Sequence, residues 1–361
     1  MVRLVRWTGS RWHLIRDGQT NDLAGFPRDL TVRHDSIELP ATRTEAGEFF
    51  AARPAMTASM CNVCARAAVR LGLLPTNAIP YNPPRPTSRG PISSVVVSGA
   101  LQNSARTFGI EIECVAPRDA CYVAQELTAA GVDCRNEGYN HTTRTWWKIV
   151  SDSSVHGRGY SMEIVSPPMS GAEGLRQTKI VCDVLKRMGV TVNSSCGLHV
   201  HHDAHDFRPA DFVRVAEFYR RFEGVFDGMM PASRRADRHS LLHSMSRFRT
   251  LGSMLSRVGL TMSYLQNEFY DRYFKVNISA FWRHGTIEFR HHGGTINFRK
   301  IASWVKMTGA IMEWARGTTD IPAAGLDRDS NATAMFAALN LPEAVRRFAE
   351  RRAARFAGAT V

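Results

Sequence analysis

Apolar and polar residues alternate along the chain in two rhythms, and each rhythm predicts a kind of element. A period of two marks a strand with one buried face. It runs through Thr107-Phe-Gly-Ile-Glu-Ile-Glu-Cys, Tyr160-Ser-Met-Glu-Ile-Val-Ser, Gly197-Leu-His-Val-His, Phe274-Lys-Val-Asn-Ile and Gly285-Thr-Ile-Glu-Phe-Arg-His-His. Trp146-Trp-Lys-Ile-Val reads as another strand, its tryptophans taken as core rather than as a stacking platform. Helical spacing covers 120–130, 171–188, 209–229 and 298–315. Strands and helices are interleaved, and some neighbouring strands must be antiparallel. The expected fold is therefore α+β, with helices packed on one face of a twisted sheet.

The flanks read differently. Residues 1–76 alternate short apolar runs with charges and end in a helical stretch over 55–74; they form an N-terminal accessory region. Residues 77–95 hold Pro80, Pro83, Pro84, Pro86 and Pro91. Proline fixes φ and removes a hydrogen-bond donor, so this stretch is a linker. The sheet-and-helix domain occupies 96–318, and 319–361 is a basic, helical C-terminal extension with its helix over 331–357.

Composition narrows the function classes. With 361 residues and 44% hydrophobic content, the chain can bury a substantial core. No apolar run is long enough to span a membrane, and the charged N-terminus has no secretory apolar stretch. Seven scattered cysteines, an odd number, argue against a disulfide framework and for a reducing cytoplasm. The net charge of +13 suits anionic partners, nucleotides or nucleic acid among them, although dispersed arginines also arise from genome bias. Charge alone names no partner.

The chemistry lies on the polar faces of the strands. In Gly109-Ile-Glu111-Ile-Glu113, alternation puts both carboxylates on one face, roughly 7 Å apart. Taken alone, that strand reads rather as a solvated edge with its glutamates outward and its isoleucines inward. The pattern recurs, however. His199 and His201 share a face of their strand, as do Glu288 and Arg290, and Lys275 and Asn277, while Glu163 projects between apolar neighbours. Ordinary solvated strands carry mixtures of Thr, Lys, Ser and Gln. Carboxylates and imidazoles together suit Mg²⁺ or Mn²⁺, and Arg or Lys can clamp phosphoryl oxygens.

The ordered set Glu-x-Glu, Glu-Ile-Val-Ser-Pro, Asn-x-x-Cys-Gly-Leu-His-Val-His, Lys-x-Asn and Glu-Phe-Arg, from about Arg106 to Thr318, resembles the amidoligase family. That family is similar to the glutamine synthetase and glutamate–cysteine ligase group. The resemblance implies a curved, largely antiparallel sheet with helices on its convex face. It implies ATP and two or more Mg²⁺ or Mn²⁺ ions. Glu111, His199 and Glu288 would ligate the ion nearest the γ-phosphate, and Glu113 and Glu163 the ion nearest the acceptor. His201 would sit at the ATP phosphates, with Asn277 beside them, and Arg290 and Lys275 would stabilise the transferred phosphoryl group. The implied reaction joins an acceptor carboxylate to an amine through an acyl phosphate, and the basic surface and N-terminal region suit an acceptor on a peptide, protein or other macromolecule. The superfamily often adds a third carboxylate at the second ion; Asp152 is a candidate, though Ser151-Asp152-Ser153-Ser154 reads equally as a turn.

Two other classes compete. A His-x-His strand also occurs in binuclear amidohydrolases, but there the pair comes early and a late Asp follows, whereas here Glu-x-Glu comes first. A non-catalytic, basic nucleic-acid-binding protein fits the charge but leaves the acidic face without purpose. Cys61-x-x-Cys64 with His13 and His34 would be a zinc site only with non-standard spacing, so two helical cysteines without metal are the preferred reading. His202 and His205 are expected to face solvent, and His292 shares the alternation face of Glu288.

Overall fold

A computed structural model describes residues 106–235, 242–248, 251–318 and 328–358, three strands before them, and a few positions between 45 and 52. The early strands, β1 (Val2–Trp7), β2 (His13–Arg16) and β3 (His34–Glu38), form an antiparallel sheet in the order β2-β1-β3. The expectations for the 55–74 helix, the Cys61/Cys64 pair and the proline-rich linker lie outside the described residues.

The main sheet has seven strands: β4 (Phe108–Ala116), β5 (Cys134–Asn136), β6 (Trp147–Val150), β7 (Tyr160–Val165), β8 (Gly197–Asp203), β9 (Val276–Asn277) and β10 (Thr286–Gly293). Their order is β5-β6-β7-β4-β8-β10-β9. Every neighbouring pair is antiparallel except β5 and β6. The α+β class follows as expected, with a mixed sheet.

One face of this sheet builds the core. Ile110, Ile112, Cys114, Ile149, Ile164, Leu198, Val200, Ile287 and Phe289 occupy alternate positions on their strands and are buried with the helices Ala120–Ala129, Gly171–Arg187, Pro209–Arg221 and Phe298–Gly317. Burying such side chains contributes about 1.5–3 kcal/mol each, enough to fix the strand register. A one-residue slip would exchange these side chains with the carboxylates of the other face. The segment expected as one helix over 209–229 breaks at Phe222 into Pro209–Arg221 and Glu223–Gly228. The C-terminal stretch likewise forms two helices, Arg328–Leu339 and Glu343–Phe356, parted at Asn340 in the left-handed region and by Pro342. Met335, Leu339, Val345 and Ala349 join the main core.

Three histidines correct or refine the alternation reading. β8 continues to Asp203, so His202 follows Val200 onto the helix side, where it is 2% exposed. Its Nε2 lies 2.8 Å from Thr308 Oγ1, and burial pushes its pKa down to about 3. It does not face solvent; His205 does. β10 carries a bulge between Phe289 and His292, which inserts a residue and breaks the alternation. His291 keeps the helix side of Phe289, as alternation predicts, and meets Tyr219 Oη at 2.7 Å, while the bulge turns His292 onto Trp304, away from the face of Glu288.

The five described cysteines are all free. No helix among the described residues is long and apolar enough to cross a membrane.

Candidate functional site

On the face opposite the core, strand register sets a continuous polar row. Glu163 pairs with Glu113 across β7 and β4, Glu111 with His199 across β4 and β8, His201 with Glu288 across β8 and β10, and Glu288 with Asn277 across β10 and β9. Chain positions far apart in sequence thus become neighbours through antiparallel pairing alone.

His199 sits at the centre. Its Nδ1 is 3.1 Å from Glu111 and 3.4 Å from Glu288, and its Nε2 is 3.5 Å from Glu113. His201 Nε2 lies 3.4 Å from Glu111, while its Nδ1 is anchored on Thr286 Oγ1 at 2.9 Å. Asn277 Nδ2 donates to Glu288 Oε2 at 2.6 Å, and Arg290 pairs with the other oxygen of that carboxylate. The backbone N–H of Gly197 donates to Glu113. Gly197 is tightly enclosed: a Cβ there would stand 2.8 Å from His199 Nε2 and 3.2 Å from Arg234 Nη2.

Three donor sets in this row can each enclose a cation: Glu111, Glu163 and His199; Glu111, His201 and Glu288; and Glu113, Asp152 and Glu163. Within each, the ligand atoms lie within 4.8 Å of one another. Asp152 is therefore brought to the acidic pair even though its Oδ1 also caps the turn at Ser154. The sets hold carboxylate oxygen and imidazole nitrogen without thiolate, a chemistry that fits Mg²⁺ or Mn²⁺.

The electrostatics point the same way. Burial and then the charges of Glu111, Glu113 and Asp152 raise the Glu163 carboxyl well above its ordinary range. Burial would also raise Glu111, but the neighbouring His201 charge and hydrogen bonds from both imidazoles hold it well below that range. His201 is raised: burial opposes its charge, and Glu111 and Glu288 outweigh burial. Like charges share this wall at a cost that a divalent cation would relieve.

Beside Glu111, Glu163 and His201 opens a cavity of about 400 Å³. Its outer wall is the 140–144 segment between β5 and β6, and Arg144, Lys148 and His284 also line it. Lys148 is nearly buried and donates to Asn140 O, Asn140 Oδ1 and Thr142 O, which ties the segment to the sheet. Arg144 pairs with Glu137 at 3.0 Å. Trp147 is core as expected, while Trp146 lies under the Arg135 guanidinium at 3.7 Å.

Glu111, Glu113, Glu163, His199, His201, Asn277, Glu288 and Arg290 thus converge. Lys275 does not join them. It is 0% exposed, and its ammonium lies 2.7 Å from Glu223 and 2.6 Å from Asp227. The ladder of β9 spans only Val276–Asn277, too short to hold Lys275 in the alternation that places Asn277. Sequence reasoning missed Lys148, whose alternation with core residues Trp147 and Ile149 was a readable signal. It also missed Arg144 and Arg234, which lie outside the regular strands and carry no periodic signal.

Residues 104–312, more than half of the chain, match a family model described as "Putative amidoligase enzyme". No curated protein matches the chain.

Proposed function

Because the chain belongs to the amidoligase family, we propose that this sheet face joins a carboxylate to an amine at the expense of ATP. The supporting observation is the row from Glu163 to Asn277, in which five carboxylates, two imidazoles and Arg290 meet on one wall. The same family likeness favours a glutamine synthetase-like sheet.

In this reading Glu113, Asp152 and Glu163 hold a divalent cation on the acceptor side. Glu111 and Glu288, with His199 or His201, hold another toward the nucleotide. The cavity bordered by Arg144, Lys148 and His201 receives ATP. Bound cations would supply neutralisation of phosphate charge. The protein supplies position and fixed charge. The row orients an acceptor carboxylate oxygen toward the γ-phosphorus, Arg290 faces the charge on the transferred phosphoryl oxygens, and ADP leaves. The amine nitrogen then attacks the acyl carbon, loses a proton and expels phosphate, leaving the amide. ATP is needed because condensing a carboxylate with an amine is uphill in water.

The test is phosphate release from ATP with Mg²⁺ and pooled carboxylates and amines, comparing wild type with Glu111→Gln and Glu288→Gln. Substrate-stimulated release should fall at least about 100-fold in both variants, on the scale of losing a preorganised charge-stabilising group. Undiminished release in both would refute the ligase reading.

A further inference from the structure

Arg234 stands at the end of the site row without an anionic partner of its own. It closes the 3₁₀ turn Ala232–Arg234, which lies against β10. Two glycines make that docking feasible. Gly197 and Gly293 face each other at the ends of β8 and β10. A Cβ on Gly293 would meet Pro231 Cγ at 3.1 Å, and one on Gly197 would meet the Arg234 guanidinium at 3.2 Å. The arginine is thereby laid across the strand end beside His199, with 3% of its surface exposed.

A guanidinium carries five N–H donors and is normally paired when buried. Among the described residues no carboxylate forms a salt bridge with Arg234; its Nε has no partner, and its one hydrogen bond is a long 3.5 Å contact from Nη2 to Ser195 O. Arg290 repeats the pattern, since its Nη1 pairs with Glu288 while its Nε is buried without a partner. The two guanidiniums repel, and Glu113 attracts Arg234. Glu113 is shared, because it also accepts from Gly197 and approaches His199. Leaving buried guanidinium donors unpaired is unfavourable, and an anion with enough oxygens could serve both arginines.

We propose that Arg234 and Arg290 form a two-guanidinium receptor for a tetrahedral oxyanion, inorganic phosphate or a phosphoryl group, at the Glu113 end of the row. A tetrahedral group can turn oxygens toward each arginine and leave others for a cation held by the carboxylates. Arg234 is the new element: it lies outside every strand that carries the row and binds the oxyanion directly. The biological identity of the ligand, as phosphate passing from ATP to the acceptor and then released, rests on the ligase reading. The receptor itself does not.

The experiment titrates inorganic phosphate calorimetrically into full-length protein with Mg²⁺ present and no nucleotide, acceptor or amine. Wild type should bind phosphate, sulfate should compete, and chloride at the same concentration should not. Arg234→Met should weaken phosphate at least 10-fold while keeping the melting-temperature rise produced by Mg²⁺. Arg234→Lys, which keeps the charge but loses the planar fork, should fall between them, and it serves as the test if Arg234→Met does not fold. Wild type that binds no phosphate, or a folded Arg234→Lys or Arg234→Met protein with wild-type phosphate affinity, overturns the proposal. Because no turnover is measured, a protein that binds phosphate through Arg234 but makes no amide overturns only the ligase reading. One that makes amide but binds phosphate independently of Arg234 overturns only this inference.

Discussion

Two charged clusters flank β10, and they are built on opposite principles. Around Lys275, Glu223 and Asp227 share one buried ammonium, His291 Nε2 lies 2.9 Å from Asp227, and Tyr219 closes the group through His291. Ser244 Oγ and the backbone N–H of Met245 donate to Glu223 as well. Each charge there has an opposite beside it. Around Glu288, carboxylates outnumber the cations: Glu111, Glu113, Asp152, Glu163 and Glu288 face Arg290 and Arg234, and buried N–H bonds are left over. The first cluster finds its opposite charges within the chain and holds the edge of the sheet to the helix Glu223–Gly228. The second has carboxylates in excess and buried donors unpaired, a balance that the proposed cations and oxyanion would complete. Net balance, rather than the presence of charge, separates a structural network from a site.

That contrast can be broken most forcefully at Lys275. Lys275→Met strands Glu223 and Asp227, and loss of one partner of a buried pair costs about 3–5 kcal/mol. Urea denaturation should show that loss, while Mg²⁺ still raises the melting temperature of the folded fraction. An unchanged midpoint would mean that the closed cluster carries no stability.

Gly197→Ala should come next, at about 1–3 kcal/mol, because the new methyl overlaps His199 and Arg234. Its mark should be combined: lower stability in denaturant and weaker Mg²⁺ binding by calorimetry. Weakened stability with intact Mg²⁺ affinity would remove Gly197 from the site.

Glu163→Gln should move stability the opposite way. It removes one of several repelling carboxylates, so the metal-free protein should gain on the order of 1 kcal/mol at neutral pH. The Mg²⁺-induced rise in melting temperature should shrink. A loss of metal-free stability would show that the acidic row is not under strain.

The last effect is the pH slope. The folded Glu163 pKa lies above its unfolded value. Between the two, the native state keeps a proton that the unfolded chain has released, so metal-free stability falls as pH rises through that window. One group contributes at most about 1.4 kcal/mol per pH unit. Glu111 and Glu288, both lowered, act below the ordinary carboxylate range, where their contribution is lost as pH falls through the folded values. Denaturation of wild type and Glu163→Gln from acid to neutral pH, with and without Mg²⁺, checks the sign: the fall should disappear in the variant.

The strands that carry the site were legible in the sequence because they are long enough for alternation to fix side-chain direction. β4, β7, β8 and the first half of β10 are of that kind, so Glu111, Glu113, Glu163, His199, His201, Glu288 and Arg290 could be assigned one face before any coordinates. Legibility failed where the ladder is short or interrupted. Lys275 borders a two-residue strand, and His292 follows a bulge that no local residue pattern announces. Arg234 reaches the row from a 3₁₀ turn, and turn side chains have no period to read. The end of β8 was legible in principle, since extending the alternation by one step predicts His202 on the helix side.

The parallel pairing of β5 with β6 has a further consequence. Two parallel neighbours force the chain to travel back between them, and here that return, the 137–146 segment, supplies the outer wall of the cavity. None of the carboxylates or imidazoles of the row belongs to it. Changes in its length or side chains would reshape the cavity mouth without shifting the polar row, so under the proposed function choice of client and chemistry would be carried by separate pieces of the polypeptide.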